Sequence, residues 1–284
     1  MTPRRFLIYS LSLLPTLAAA APPSEKVIDR YKQLLTANPA EGTALDRLWQ
    51  AYSEQGRTGA LISEFEQQPG FAGQMVLGYL LKKSGRNDEA VHAFQRALTL
   101  DLDNPAPALA LGRLEMTSGH AAQAAIWLAK ASELLPDTDT QKTSALLELG
   151  SAQLAAGNLN EAAAAWEKTV VLAPTDLALR RQLADTYTRN ALGARAIPHL
   201  EFIVQRGQPP ERAQALQQMA TIHQAQGEQD AAILATERAL AYTAPGNWLR
   251  LGERHRSAPF NFLVTHHGKL VTPRLSNHTL RHSS

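Results

Sequence analysis

The chain has 284 residues, 44% of them hydrophobic and 6% aromatic, with 17 Gly, 16 Pro and no Cys. That balance is globular and excludes wholesale disorder and collagen-like structure. The missing sulfur excludes disulfide frameworks, thiolate metal sites, thiol nucleophiles and lipid-modified cysteine. The 28 Lys and Arg against 26 Asp and Glu give a formal charge of +2, which points to an anionic partner only if that charge sits on the folded part of the chain.

Residues 1–20 read as a secretory signal peptide. Arg4 and Arg5 form a basic start, Phe6 to Leu17 is an apolar run, and Ala18, Ala19 and Ala20 supply small residues ahead of Ala21-Pro22-Pro23. The apolar run is shorter than the roughly 20 residues a spanning helix needs, so an uncleaved anchor is the weaker reading. Twin-arginine export is also weaker, because the spacing after Arg4-Arg5 does not suit it. The expectation is cleavage after Ala20 and a periplasmic or secreted mature chain with no membrane span.

Internal repetition follows. Leu77-Gly78 precedes Gly85, Ala90, Phe94 and Ala97; Leu111-Gly112 precedes Gly119, Ala124, Leu128 and Ala131; Leu149-Gly150 precedes Gly157, Ala162, Trp166 and Thr169. From the first Gly, the offsets are +7 to a Gly, +12 to an Ala and +16 to a large apolar residue in all three segments. Weaker copies start at Leu48-Trp49, Leu183-Ala184 and Met219-Ala220, giving six units whose Gly-equivalent positions step by 29, 34, 38, 34 and 36 residues. The short step implies a trimmed connection around Gln67 to Gly73, and the long one an extra loop from Asp137 to Thr143. Ahead of the first unit, Val27, Tyr31, Leu34 and Pro39 fit the second half of a repeat.

Apolar residues at three- and four-residue spacing, such as Leu77, Leu80 and Leu81, make one buried helix face in each half-unit. The small residues at Gly78, Gly112 and Gly150, and at Ala90, Ala124 and Ala162, mark the closest approach of the two helices of a unit. Phe94, Leu128 and Trp166 would then fill space toward the next unit. Gly85, Gly119 and Gly157 end the first helices through positive φ, and Asp103-Asn104-Pro105 and Ala173-Pro174-Thr175 end second helices.

This pattern resembles the tetratricopeptide repeat family. The resemblance implies an all-α, right-handed superhelical solenoid of antiparallel helix pairs. Residues 21–41 would form a capping half-repeat, 42–250 six repeats, and 251–284 an atypical tail. In that family the first helices line the concave face. Carried over residue by residue, the partner groove is Met75, Tyr79 and Lys82; Leu109, Arg113 and Met116; Leu147, Ser151 and Leu154; Arg181 and Asp185; and Gln217 and Thr221. Such a surface suits an extended or helical protein segment with two or three apolar side chains and a carboxylate within reach of Arg113 or Arg181. The alternative is that these residues pack against a neighbouring helix or domain. The Lys and Asn pairs by which some relatives clamp a C-terminal carboxylate are missing.

No catalytic, cofactor or metal motif stands out. His92, His120 and His199 stand alone at exposed-looking positions, and His223 replaces a consensus Tyr. Trp248-x2-Leu251-Gly252-x2-His255 fits the start of a seventh unit, but Pro259 interrupts it. The tail beyond reads as disordered, as a lost continuation, or as a metal-binding end through His266, His267, His278 and His282. The repeat region Ala21–Arg250 holds 21 basic and 25 acidic residues. The positive charge therefore belongs to the chain ends, and nucleic acid is not the expected partner. The function expected is a non-enzymatic extracytoplasmic scaffold for protein or peptide partners. An interaction arm of a larger secreted machine and a cell-wall glycan binder stay open.

Overall fold

The structure, a computed structural model, describes residues 24–243 and the strand residues 264–266 and 269–271. The signal peptide at 1–20, the seventh-unit start at Trp248 and the tail histidines' side chains lie outside the described residues. Two compact units divide at Leu172 and Ala173.

The first unit holds α1 (Glu25–Ala37), α2 (Thr43–Ser53), α3 (Thr58–Glu66), α4 (Phe71–Lys83), α5 (Asn87–Leu100), α6 (Pro105–Thr117), α7 (Ala121–Leu134), α8 (Thr140–Ala155) and α9 (Leu159–Leu172). Helices pack in consecutive pairs, α4 with α5, α6 with α7 and α8 with α9, and α5 also packs on α6 and α7 on α8. α1 packs on both α2 and α4, so its Leu35 joins Leu45, Leu48, Leu61, Phe65 and Leu77 in one core that runs on to Leu111 and Leu114. A second core gathers Leu109, Leu128, Leu135, Leu146 and Leu149.

The second unit holds α10 (Leu177–Arg189), α11 (Gly193–Arg206), α12 (Pro209–Ala225) and α13 (Gln229–Thr243). α10 pairs with α11, α12 with α13, and α11 packs on α12. A short antiparallel ladder, β1 (Val264–His266) and β2 (Lys269–Val271), pairs Val264 with Val271.

The glycine periodicity has two distinct physical causes. At +7, Gly56, Gly85, Gly119, Gly157 and Gly227 have φ between 65° and 85°, and the fifth unit places Ala191 there at φ 58°. In every unit the amide of the following residue returns to the carbonyl five residues back, as in Arg86 N–H to Leu81 O at 3.0 Å and Leu192 N–H to Tyr187 O at 2.8 Å. This is the Schellman termination, and its flanking side chains usually meet through an apolar contact. At four of the six terminations a polar pair replaces it: Arg57 lies over the Tyr52 ring at 5.6 Å, His120 bonds Glu115 at 2.8 Å, Asn158 donates to Gln153 at 2.8 Å and His223 bonds Glu228 at 2.6 Å.

At the central position the constraint is steric. A Cβ at Gly78 would lie 2.5 Å from the Phe94 ring and one at Gly112 2.6 Å from Leu128 Cγ, while one at Gly150 would overlap the Trp166 indole. The large residue at +16 thus inserts into the glycine gap of its own unit, which corrects the reading that it fills space toward the next one.

Other local readings shift in the same way. Thr140 already belongs to α8 because Asp139 caps that helix, accepting from Gln141 N–H at 2.8 Å. The four extra residues of the long step therefore lengthen a helix as much as a loop. Pro105 opens α6, behind the Asn104 cap, rather than closing α5. The trimmed connection is Gln67–Gly70. It is so close that a Cβ on Gly73 would sit 2.6 Å from Gln68 O, and Gln74 Nε2 donates to the same carbonyl at 2.9 Å.

Candidate functional site

The thirteen groove positions fall on α4, α6 and α8 in the first unit and on α10 and α12 in the second. Met75 and Leu109 are buried in the two cores. They lie three residues before Gly78 and Gly112, and that spacing puts them on the glycine side of the helix, against its partner. Leu147, at the same offset, is half-buried, and its carbonyl accepts from Trp166 Nε1 at 3.3 Å. Met116 and Leu154 are also half-buried, and Ser151 is exposed, donating to Leu147 O at 3.0 Å.

Tyr79 belongs to the same core as Met75 but keeps 8% of its surface exposed. Its ring is buried edge-on against Phe94 at 5.0 Å. Burial, reinforced by the Glu41 carboxylate and opposed by Arg113, pushes its phenol up to about 12. Around it the charges are already matched. Lys82 meets Glu41 at 2.8 Å and Lys83 meets Asp46 at 2.7 Å. Arg113 on α6 donates twice to Glu148 on α8, both at 2.8 Å, and those bonds keep its guanidinium above its ordinary range.

The second unit repeats the device. Arg181 meets Glu211 at 3.1 Å, and the Gln208 backbone N–H and then Arg181 hold the Glu211 carboxyl below the usual range. Asp185 accepts from Gln218 Nε2 at 3.0 Å. Gln217 and Thr221 are exposed, and Thr221 Oγ1 donates to Gln217 O at 3.1 Å.

Sequence reasoning thus located the cations but not their partners. Glu148 and Glu211 occupy Arg113 and Arg181, the two groups pictured as open to a ligand carboxylate. The signal was legible as opposite charges on consecutive first helices, 35 and 30 residues apart.

Of the three histidines read as isolated and exposed, His199 differs in its burial and His120, though exposed, in having a partner. His199 is buried and stacks on Tyr187 at 5.6 Å, and His120 and His223 carry carboxylate partners. Among the described residues no group of three or more His, Asp or Glu could hold a metal ion. No helix among them is long and apolar enough to cross a membrane.

The tetratricopeptide repeat sequence model matches residues 81–147. No curated protein matches the chain. Among solved structures, the C-terminal part of a TPR repeat-containing protein from Cytophaga hutchinsonii aligns at 17% identity and a TM-score of 0.50, covering 79% of this chain and 92% of that one. MamA aligns at 23% identity and a TM-score of 0.42, covering 59% and 94%. YrrB, described as a TPR protein with an unusual peptide-binding site, aligns at 15% identity and a TM-score of 0.45, covering 70% and 97%. The fold is that of a tetratricopeptide-type helical solenoid, a scaffold compatible with protein–protein interaction.

Proposed function

We propose that this tetratricopeptide-type solenoid is an exported, non-enzymatic scaffold whose first-unit surface on α4, α6 and α8 receives a protein segment. The observation that carries the reading is the gathering of Tyr79, Lys82 and Arg113 on two adjacent first helices, with half-buried Met116, Leu147 and Leu154 beside them. The ion pairs there are solvent-exposed. Pairs of that kind are worth about 0–1 kcal/mol, so a partner carboxylate can take the place of Glu148 on Arg113 at little cost. Apolar side chains of the same segment would meet Met116, Leu147 and Leu154, and the Tyr79 hydroxyl offers a donor.

Export rests on the Arg4-Arg5 start, the apolar run and the Ala18–Ala20 site. It is tested by the intact mass of the protein recovered outside the cytoplasm of the host. A chain beginning at Ala21 is expected, and a full-length cytoplasmic chain would contradict it. The binding surface is tested by placing a photo-crosslinking residue at Ser151, an exposed position of the same surface on α8, in the native host. A discrete protein adduct that weakens with Tyr79→Phe is expected, and an adduct indifferent to Tyr79 would remove this surface from the account.

A further inference from the structure

The second helices carry a feature the first-helix surface does not explain. Along the outer face of α7 runs a groove of about 700 Å³, walled by Leu102, Ala122, Ile126, Ala129 and Leu134. Leu102 is 63% exposed and Ile126 60%, and they share one groove rather than lying scattered over the surface.

The fold itself does not demand these residues. Ala122, Ile126, Ala129 and Glu133 share one face of α7, and one repeat earlier the same positions on α5 are Asp88, His92, Gln95 and Thr99. The α5 face therefore serves as an internal control. Its groove is smaller, about 280 Å³, and is lined by His92, Gln95, Arg96 and Thr99. At three of these four positions a polar residue on α5 gives way to Ala or Ile on α7, and at the fourth Thr99 gives way to Glu133.

The rim sets the charge of the occupant. Glu133 lies on the groove wall without an ion pair among the described residues, and Lys130 is the cation beside it; Asp101, which accepts from Asn104 Nδ2 at 3.1 Å, and the exposed Asp103 are the chain neighbours of the wall residue Leu102. Residues 24–172 as a whole carry 18 Asp and Glu against 13 Lys and Arg. The groove follows a helix of 14 residues, about 20 Å long, and its wall residues repeat at helical spacing. We infer that the outer face of α7 docks a cationic amphipathic helix of a partner protein, with its apolar stripe over Ile126 and Leu102 and its Lys or Arg residues against Glu133, Asp101 and Asp103.

The chain lacks cysteine, so Ile126→Cys gives a unique attachment point for an environment-sensitive dye on the mature chain, with Val171→Cys, on α9 and 79% exposed, as the control. The probe is a four-turn peptide helix with a Leu stripe and a Lys face, compared with the same peptide bearing Glu. The Lys peptide should blue-shift the dye at 126 and not at 171, and the Glu peptide should bind at least tenfold more weakly.

Transplanting the α5 face in unlabelled protein, Ala122→Asp with Ile126→His and Ala129→Gln, should weaken binding of the labelled Lys peptide tenfold or more while leaving the melting temperature unchanged. Because that variant adds negative charge, stronger or equal binding would show attraction by charge alone and overturn the proposal. Equal binding of the two peptides, or a dye at 126 already buried in a dimer of this chain, would overturn it as well.

Discussion

At the scale of single residues, the backbone conformation at one position and the burial of one phenol are each measurable. Ala191 occupies the left-handed termination that the other five described repeats give to glycine, and a side chain there costs about 1–2 kcal/mol. Ala191→Gly removes that cost but adds unfolded-state freedom. The net expectation is a gain of about 0.5–1 kcal/mol, raising the melting temperature by about 2 °C.

Tyr79 gives a pH dependence of definite sign. Its folded value, pushed up to about 12 by burial and by Glu41 from the ordinary 10.0 of a phenol, means the native state holds the proton longer than the unfolded chain. Its contribution is complete below pH 10 and is lost as pH rises from 10 towards 12, on the order of 2 kcal/mol across the window. Denaturant unfolding at stepped alkaline pH should show that slope, and Tyr79→Phe should abolish its share of it.

At the scale of the helix pair, stability rests on one large side chain entering a gap without a Cβ. Gly150→Ala would drive a methyl into the Trp166 indole, and overpacking of that kind costs about 1–3 kcal/mol. Gly59, in α3, has open space around it. Gly59→Ala should instead stabilise by up to about 1 kcal/mol through helix propensity. Opposite shifts of the two variants in chemical denaturation check the argument, and equal shifts would refute it.

This lock is also where the sequence spoke most clearly. The +7 and +16 positions recur because backbone geometry and a steric gap each admit few residue types. The helix boundaries were less legible, since Asp139 and Asn104 act as caps that only the folded termini reveal. The groove was less legible still. An offset from Gly78 names Met75 as readily as Tyr79, yet Met75 is fully enclosed in the core while Tyr79, in the same core, keeps 8% of its surface exposed. The pairing of Arg113 with Glu148 depends on two helices lying side by side, which no local window contains.

At the scale of the whole molecule, each unit joins paired helices through cores that pass from one pair to the next, and polar bridges tie successive first helices within each unit. Both units meet the charge of their first helices internally, through Arg113 with Glu148 in one and Arg181 with Glu211 in the other. A partner is therefore selected by what it exchanges rather than by bulk attraction, and binding to the first-helix surface should respond modestly to salt. The most direct test of the central claim is photo-crosslinking in the native host from position 151, on the first-helix surface of α8, in parallel with position 171, on a second helix. The account predicts a discrete protein adduct from 151 that is absent from 171 and reduced by Tyr79→Phe. The same adduct from both positions, or none from 151 in a folded protein, would contradict it.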